Sequence, residues 1–279
     1  MKATVYRLKC LTNMHVGSGD INFNVTDNEV ERDPVTDYPT INSSGVKGSL
    51  REFFEINNID QTELQDIFGS DRKNTETEKD KRASTPGNIK FLSANMLAVP
   101  MRSSDNNYPY YMVTTKNILE NYKSLMESLE INVNFNLDRI DDEKSYRSPK
   151  LREGTKIEEI NINETVKEDD KLHEFLSAHL GDKYCILSHK NFKKNSLPVM
   201  SRNRLDEEGK SENLWYEEIV PHKSVFYFVV LSYNNKFDFY LDLLHDEIND
   251  KVIQFGGNAS IGYGFSKITC IGGHCYEQE

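Results

Sequence analysis

No stretch of this sequence approaches the roughly 18 to 20 consecutive apolar residues that a membrane-spanning helix needs, so no membrane role is expected. Met1 to Val5 passes straight into a strand pattern without an apolar leader core, so a secretory signal is not expected and the setting is expected to be cytoplasmic. Cysteine is scarce: Cys10, Cys185, Cys270 and Cys275 lack the CxxC pairing of a zinc or redox motif. His274 lies between the last two, but reduced thiols near a strand end are the expected state there. Positive charge is also short, with 34 Lys and Arg against 45 Asp and Glu, a net charge of -11 that taken whole argues against nucleic acid. The distribution weakens that objection. Eight acidic and three basic residues lie between Glu153 and Glu174, whereas His189 to Arg204 carries Lys190, Lys193, Lys194, Arg202 and Arg204 with no acid. Such a strip can grip a phosphate backbone, although on charge alone solvated faces are the better reading of both runs.

Two periodicities alternate along the chain. Ala3 to Leu11 alternates as a half-buried strand does, Asn24 to Arg32 reads as extended, and Asp33-Pro34 ends it. Ser43 or Ser44 is predicted to cap a helix carrying Leu50, Phe53 and Phe54 and fading at Asn57-Asn58, followed by a helix from Gln61 to Phe68 closed by Gly69. Further on, strands are predicted at Ile89 to Leu97, Ile131 to Leu137, Ser224 to Leu231 and Phe265 to Ile271. Helices are predicted at Lys116 to Leu129 behind Thr114-Thr115, at Lys171 to Leu180, and at Phe239 to Val252. Val199 to Arg204 and Leu214 to Ile219, joined across Asp206 to Lys210, predict a long polar hairpin with a projecting tip. Strands mixed irregularly with a few helices, without repeating βαβ units, indicate an α+β fold. At this length one domain, residues 1–279, with insertions near 70–88, 138–182 and 190–218 is the expected organisation.

Two segments offer donors to phosphate. Ser44, Lys47 and Arg51 lie at the start of the first predicted helix, where unpaired amides and the helix dipole favour anions, and Lys47 and Arg51 share a face suited to two successive phosphates. The glycine loop at 256–264 brings Gly256, Gly257, Asn258, Gly262 and Gly264, whose backbone can approach a ligand closely and whose amides can meet phosphates. It is not GxGxxG and no acidic ribose partner follows, so a nucleotide cofactor is a poor fit. Arg202 and Arg204 are candidate backbone contacts, and Trp215, Tyr216 and Tyr263 can stack on bases or pack in the core.

The opening segment, His15-Val16-Gly17-Ser18-Gly19, Thr26-Asp27-Asn28-Glu29-Val30-Glu31-Arg32-Asp33, Tyr38-Pro39-Thr40-Ile41 and Ser44-Gly45-Val46-Lys47-Gly48-Ser49-Leu50-Arg51, closely resembles the start of the RAMP superfamily of CRISPR type III proteins. Asn88 to Leu92 through Val99-Pro100, Arg202 to Asp206 with Leu214 to Glu218, and Phe255 to Gly264 resemble the repeated backbone subunit of the type III-B, or Cmr, complex within it. The resemblance implies a modified RRM-like, ferredoxin-like palm with an inserted thumb hairpin, here within Lys190 to Glu218. It also implies copies stacked head to tail along a guide CRISPR RNA, the other subunits of the effector complex as partners, and a complementary target RNA cut at regular intervals. Asp27 matches the acidic loop residue that such cleavage requires, with a divalent cation, Mg²⁺ or Mn²⁺; Asp27 would hold that ion or, alternatively, assist deprotonation of the 2'-OH. Ile21-Asn22-Phe23-Asn24 is bulkier and more polar than the small apolar residues and glycine usual before that aspartate. His15 can donate to the phosphate or pack the loop, and of Glu217 and Glu218 an alternating strand would turn one toward the site. A non-catalytic structural subunit of the same kind of complex, and a metal-independent nuclease cutting precursor repeat RNA, are the competing readings.

Overall fold

The computed structural model describes residues 1–17, 26–70, 85–162, 164–168, 170–195 and 197–274. Most of the predicted loop at 70–88, the Ile21 to Asn24 stretch before Asp27, and Cys275 lie outside the described residues. The chain forms two compact units, one built from residues 1–19, 30–95 and 226–279, the other from 20–29 and 96–225. Among the described residues no helix is long and apolar enough to cross a membrane.

In the first unit Lys2–Cys10 pairs antiparallel with Phe265–Gly273, Leu8 opposite Ile268, and Val252–Gln254 extends the sheet beyond that strand. On the other side of Lys2–Cys10 lies Val225–Ser232, buried at every position as its unbroken apolar run predicts. Ile89–Phe91 pairs antiparallel with the end of this central strand. Helix Ser43–Ile56 turns Val46, Leu50 and Phe54 inward, and helix Gln61–Phe68 turns in Leu64, Ile67 and Phe68. Phe68 meets Phe54 edge to face at 5.3 Å and stacks on Phe91 at 5.2 Å, so three consecutive elements share one aromatic cluster. Burying Phe54 and Phe68, both fully enclosed, stabilises the fold by about 1.5–3 kcal/mol each. Asp60 caps the second helix by accepting from the amides of Thr62 and Glu63, and Gly69 closes it with φ 86°.

In the second unit the strand that begins at Ala94 runs to Asp105 and turns back into Tyr108–Thr115, with Val99 opposite Val113. Tyr184–Leu187 joins Tyr108–Thr115 in parallel and Tyr146–Arg147 in antiparallel register. Helix Lys116–Ser128 is capped by Thr115 Oγ1, which accepts from the Ile118 amide at 3.1 Å, and helix Lys171–Leu180 is capped by Asp170. The predicted polar hairpin forms from Val199–Leu205 and Ser211–Glu218, with Arg202 opposite Trp215 and Asn203 opposite Leu214.

Five expectations need correction. The first helix is not capped by Ser43 or Ser44: both lie inside it, Asn42 is the N-cap without a side-chain bond, and Ser93 Oγ receives the Ser43 amide at 3.1 Å. A cap supplied from fifty residues away leaves no local signal. Ile131 to Leu137 is not a strand but an irregular segment that buries Phe135 and Leu137, with Phe135 4.6 Å from the Phe175 ring. Alternate burial against a helix mimics strand periodicity when no neighbouring strand is there to pair. The last helix is Phe239–Ile248, because Asn249 leaves helical geometry, Asp250 takes φ 60°, and Val252 already pairs with Lys267. Ile89 to Leu97 divides into two strands, Ile89–Phe91 and Ala94–Asp105. The described part of Asn24 to Arg32 contains isolated bridges rather than a continuous strand.

Cys10, Cys185 and Cys270 are buried free thiols. Burial pushes the Cys10 thiol up to about 12, with Ser266 pulling it back only partly, and burial pushes Cys185 up as well. A raised thiol pKa contributes stability that is fully present below the ordinary value of 9.0 and is lost as pH climbs toward about 12. A Cys275→Ser variant is therefore expected to be silent to a thiol reagent at pH 8 and to react at three sites once denatured. Reaction of the native protein at Cys10 or Cys185 refutes the packing described here.

Candidate functional site

Within the second unit the outer edge of the hairpin is completed by residues 26–28. The amides of Asp27 and Asn28 both donate to the Tyr216 carbonyl, at 3.0 and 3.2 Å, and the Glu218 amide donates to the Asn28 carbonyl at 2.9 Å. Asn28 thus bridges Glu217 in parallel register. The Tyr216 amide donates at 2.7 Å to Oδ2 of Asp27, so the aspartate side chain stands in for a main-chain carbonyl in the ladder. Asp27 remains exposed, and its Oδ1 accepts no bond from any described residue. One carboxylate oxygen is a structural anchor, and the other is not engaged by any described residue.

Glu217 and Glu218, expected to be surface glutamates of which only one would face the site, are not at the surface. Both are buried, at 4 % and 7 % exposure, because the strand dives into the core just before Ile219 and Val220. Glu217 receives Arg202 Nη1 at 3.2 Å, and the Arg202 guanidinium lies 6.0 Å from the centre of the Trp215 ring. Arg202, Trp215 and Glu217 share one face of the hairpin, while Leu214 and Tyr216 occupy the other, Tyr216 with 41 % exposure. Arg204 pairs with Glu212 at 3.0 Å in solvent. The basic strip also contains a helix the sequence did not signal, His189–Lys193, capped by Ser188.

In the first unit His15 is buried against the glycine loop. Its carbonyl accepts the Gly257 amide at 2.9 Å, and a Cβ on Gly17 would come within 3.1 Å of its ring nitrogen. The loop amides expected to meet phosphate are mostly spent internally: Gly257 on His15, Gly262 on Ala259, and Gly264 on Asn13. Positive φ is real, at 79° for Gly256, 63° for Asn258, 85° for Gly262 and 80° for Gly264. Its main use is close packing, since a Cβ on Gly256 would lie 2.4 Å from the His15 carbonyl.

At the start of helix Ser43–Ile56 the amides of Ser44 and Gly45 meet no acceptor among the described residues, and Lys47 has no acidic partner among them. Burial, then the nearby charges of Arg51 and Lys90, hold the Lys47 pKa below the ordinary lysine value. Arg51 is engaged elsewhere, its Nε on Glu55 at 2.9 Å and its Nη1 on the Gly69 carbonyl at 3.1 Å. Lys90 is the residue that sequence reasoning missed at this place. It lies within Asn88 to Leu92, where nothing local marks it as a neighbour of Lys47.

A divalent cation fits this chemistry in one way. Among the described residues no three His, Cys, Asp or Glu side chains cluster as an all-protein cage. Asp27 supplies one carboxylate oxygen that no described residue engages, a donor that suits a hard cation keeping most of its waters.

The fold and sequence have clear relatives. The chain is 28% identical over 295 residues to the CRISPR system Cmr endoribonuclease Cmr4 of Pyrococcus furiosus, covering 96% of each protein. Its fold matches the cryo-EM structures of type III-B Cmr-beta in the apo state, with TM-score 0.75, 21% identity and 97% coverage of each chain, and bound to cognate target RNA, with TM-score 0.76, 22% identity and the same coverage. It also matches the crystal structure of oligomeric Cmr4 from Pyrococcus furiosus, with TM-score 0.71, 21% identity and 98% coverage of each chain. These likenesses establish the α+β, ferredoxin-like palm. The RAMP superfamily model matches residues 7–267, nearly the whole length, and the chain belongs to the RAMP superfamily.

Proposed function

We propose that this chain is the repeated backbone subunit of a type III-B CRISPR effector complex, which holds guide RNA by its sugar-phosphate backbone and cuts complementary target RNA at regular intervals. The observation that carries the reading is Asp27, an exposed carboxylate locked by Tyr216 to a projecting hairpin, in a chain that aligns end to end with a Cmr4 endoribonuclease. Copies stack head to tail with one another and with the other subunits, as an open, heterologous contact permits.

RNA carries its own nucleophile, so cleavage needs only the 2'-OH set in line with the scissile phosphate and the developing charge managed. The hairpin presents Leu214 and Tyr216, both exposed, as an apolar wedge that can displace a base and bend the backbone toward in-line geometry. Each stacked copy brings one wedge and one Asp27, which makes the spacing of cuts equal to the spacing of subunits. Asp27 would be the residue to hold Mg²⁺ or Mn²⁺, and such an ion would supply charge neutralisation at the phosphate. The Arg202 to Glu217 pair stiffens the strand on which Asp27 rests, a positioning part rather than a contact with RNA. Lys47 and the first amides of its helix grip the guide, and the same segment carries Ser44.

The test is the assembled complex with a radiolabelled RNA complementary to the guide. Periodic cuts that require Asp27 and a divalent cation support the reading, together with regular filaments of the protein on guide RNA by electron microscopy. Cutting that survives loss of Asp27 leaves the non-catalytic structural role. Metal-independent cutting of precursor repeat RNA by the isolated chain assigns the protein to repeat processing.

A further inference from the structure

A cavity of about 290 Å³ opens beside the first helix, lined on one wall by Ser43, Ser44 and Lys47 and on the other by Gly87, Lys90 and Phe91. Among the described residues no carboxylate lines it, in a chain whose acids outnumber its bases by 45 to 34. The far wall is held firmly. Gly69 bridges Pro86, and a Cβ on Gly87 would fall 2.3 Å from the Ile67 carbonyl, so this segment is pressed onto the end of the second helix. Lys90 Nζ donates to the Gly87 carbonyl at 2.7 Å, which fixes the ammonium at the rim and leaves two of its three N–H bonds without an acceptor among the described residues. Facing it, Lys47 is partly sunk and has like charges for neighbours. Two cations converging with no acid between them among the described residues store repulsion that an anion there relieves.

We propose that Lys47 and Lys90 together grip one phosphodiester of the bound RNA, with the Ser43 and Ser44 hydroxyls and the amides of Ser44 and Gly45 completing the cradle. Arg51 takes no part, because its guanidinium is committed to Glu55 and Gly69. This replaces the pairing of Lys47 with Arg51 that helical spacing suggests, and it rests on the RNA-binding reading above. The contact reads no sequence, since it touches only the backbone.

The test is the salt dependence of guide-RNA affinity, measured by fluorescence anisotropy on the full chain with its sister subunits. Each phosphate neutralised on a single strand contributes about 0.7 to the slope of log K against log salt concentration. Lys47→Gln and Lys90→Gln are each expected to lower that slope by up to about 0.7, and the double variant by no more than about 0.7, because both hold the same phosphate. Lys90→Arg is expected to restore the slope and Arg51→Gln to leave it unchanged. Lys90→Met, which keeps the aliphatic stem, serves if Lys90→Gln lowers the melting temperature. An unchanged slope in Lys90→Gln and Lys90→Met, or a fall of about 1.4 in the double variant, overturns the shared grip while leaving RNA binding intact. Absence of any binding by the wild-type assembly at low salt overturns the RNA reading, and the proposal with it.

Discussion

Asp27→Ala is expected to lower target-RNA cleavage by the assembled complex about 100-fold or more while guide-RNA affinity stays at the wild-type value. The geometry allows a sharper comparison than alanine alone. Alanine removes both the second carboxylate oxygen and the acceptor of the Tyr216 amide, so a loss of cutting could come from a segment 26–28 that has drifted off the hairpin. Asp27→Asn keeps a side-chain oxygen for that amide and discards the charge. If Asp27 acts through its charge at the scissile phosphate, asparagine cuts as poorly as alanine yet melts with the wild type. If asparagine cuts normally and alanine does not, the residue serves the loop's shape and the electrostatic role is refuted. Wild-type cutting should vanish when divalent cations are chelated and return on adding Mg²⁺ or Mn²⁺. Persistence in chelator removes the cation from the mechanism.

Gly264→Ala is expected to cost about 3–5 kcal/mol, enough to unfold a marginally stable unit, whereas Gly262→Ala costs about 1 kcal/mol. Both residues have positive φ, 80° and 85°, so both substitutions incur the left-handed penalty. They differ in space. A Cβ on Gly264 would stand 1.9 Å from the Phe255 carbonyl oxygen and 2.9 Å from Gln254 Nε2, while nothing lies within 4 Å of a Cβ on Gly262. That carbonyl cannot retreat freely, because Phe255 donates to the Gly264 carbonyl at 3.0 Å and Gly264 donates to Asn13 at 2.8 Å, tying the loop to the first strand's exit. Urea denaturation of the two variants measures the difference. Equal costs, within about 0.5 kcal/mol, contradict the packing of the loop.

Elements whose signals are local were legible from the chain alone. Helix Gln61–Phe68 has its cap, its apolar stripe and its closing glycine within ten residues, and helix Lys171–Leu180 has Asp170 before it and Gly181 after it. The hairpin's two extended stretches and polar connection are likewise contiguous. Misreadings arose where one residue's fate depends on a distant partner. Ser93 caps the helix that Ser43 and Ser44 were expected to cap, and Phe135 alternates with its neighbours because Phe175 lies beneath it.

The sequence by itself determined the α+β class, the family and the identity of Asp27 as the residue to test, because order, spacing and side-chain type are written along the chain. Tertiary structure decided how the charges are used. It set one oxygen of Asp27 on the amide of Tyr216, 189 positions away, spent Arg51 on Glu55 and Gly69, buried both Glu217 and Glu218, and brought Lys90 across from Lys47. A charge has a chemical role only through what stands within a few ångströms of it, and those neighbours are chosen by how strands and helices pack, not by their distance in sequence.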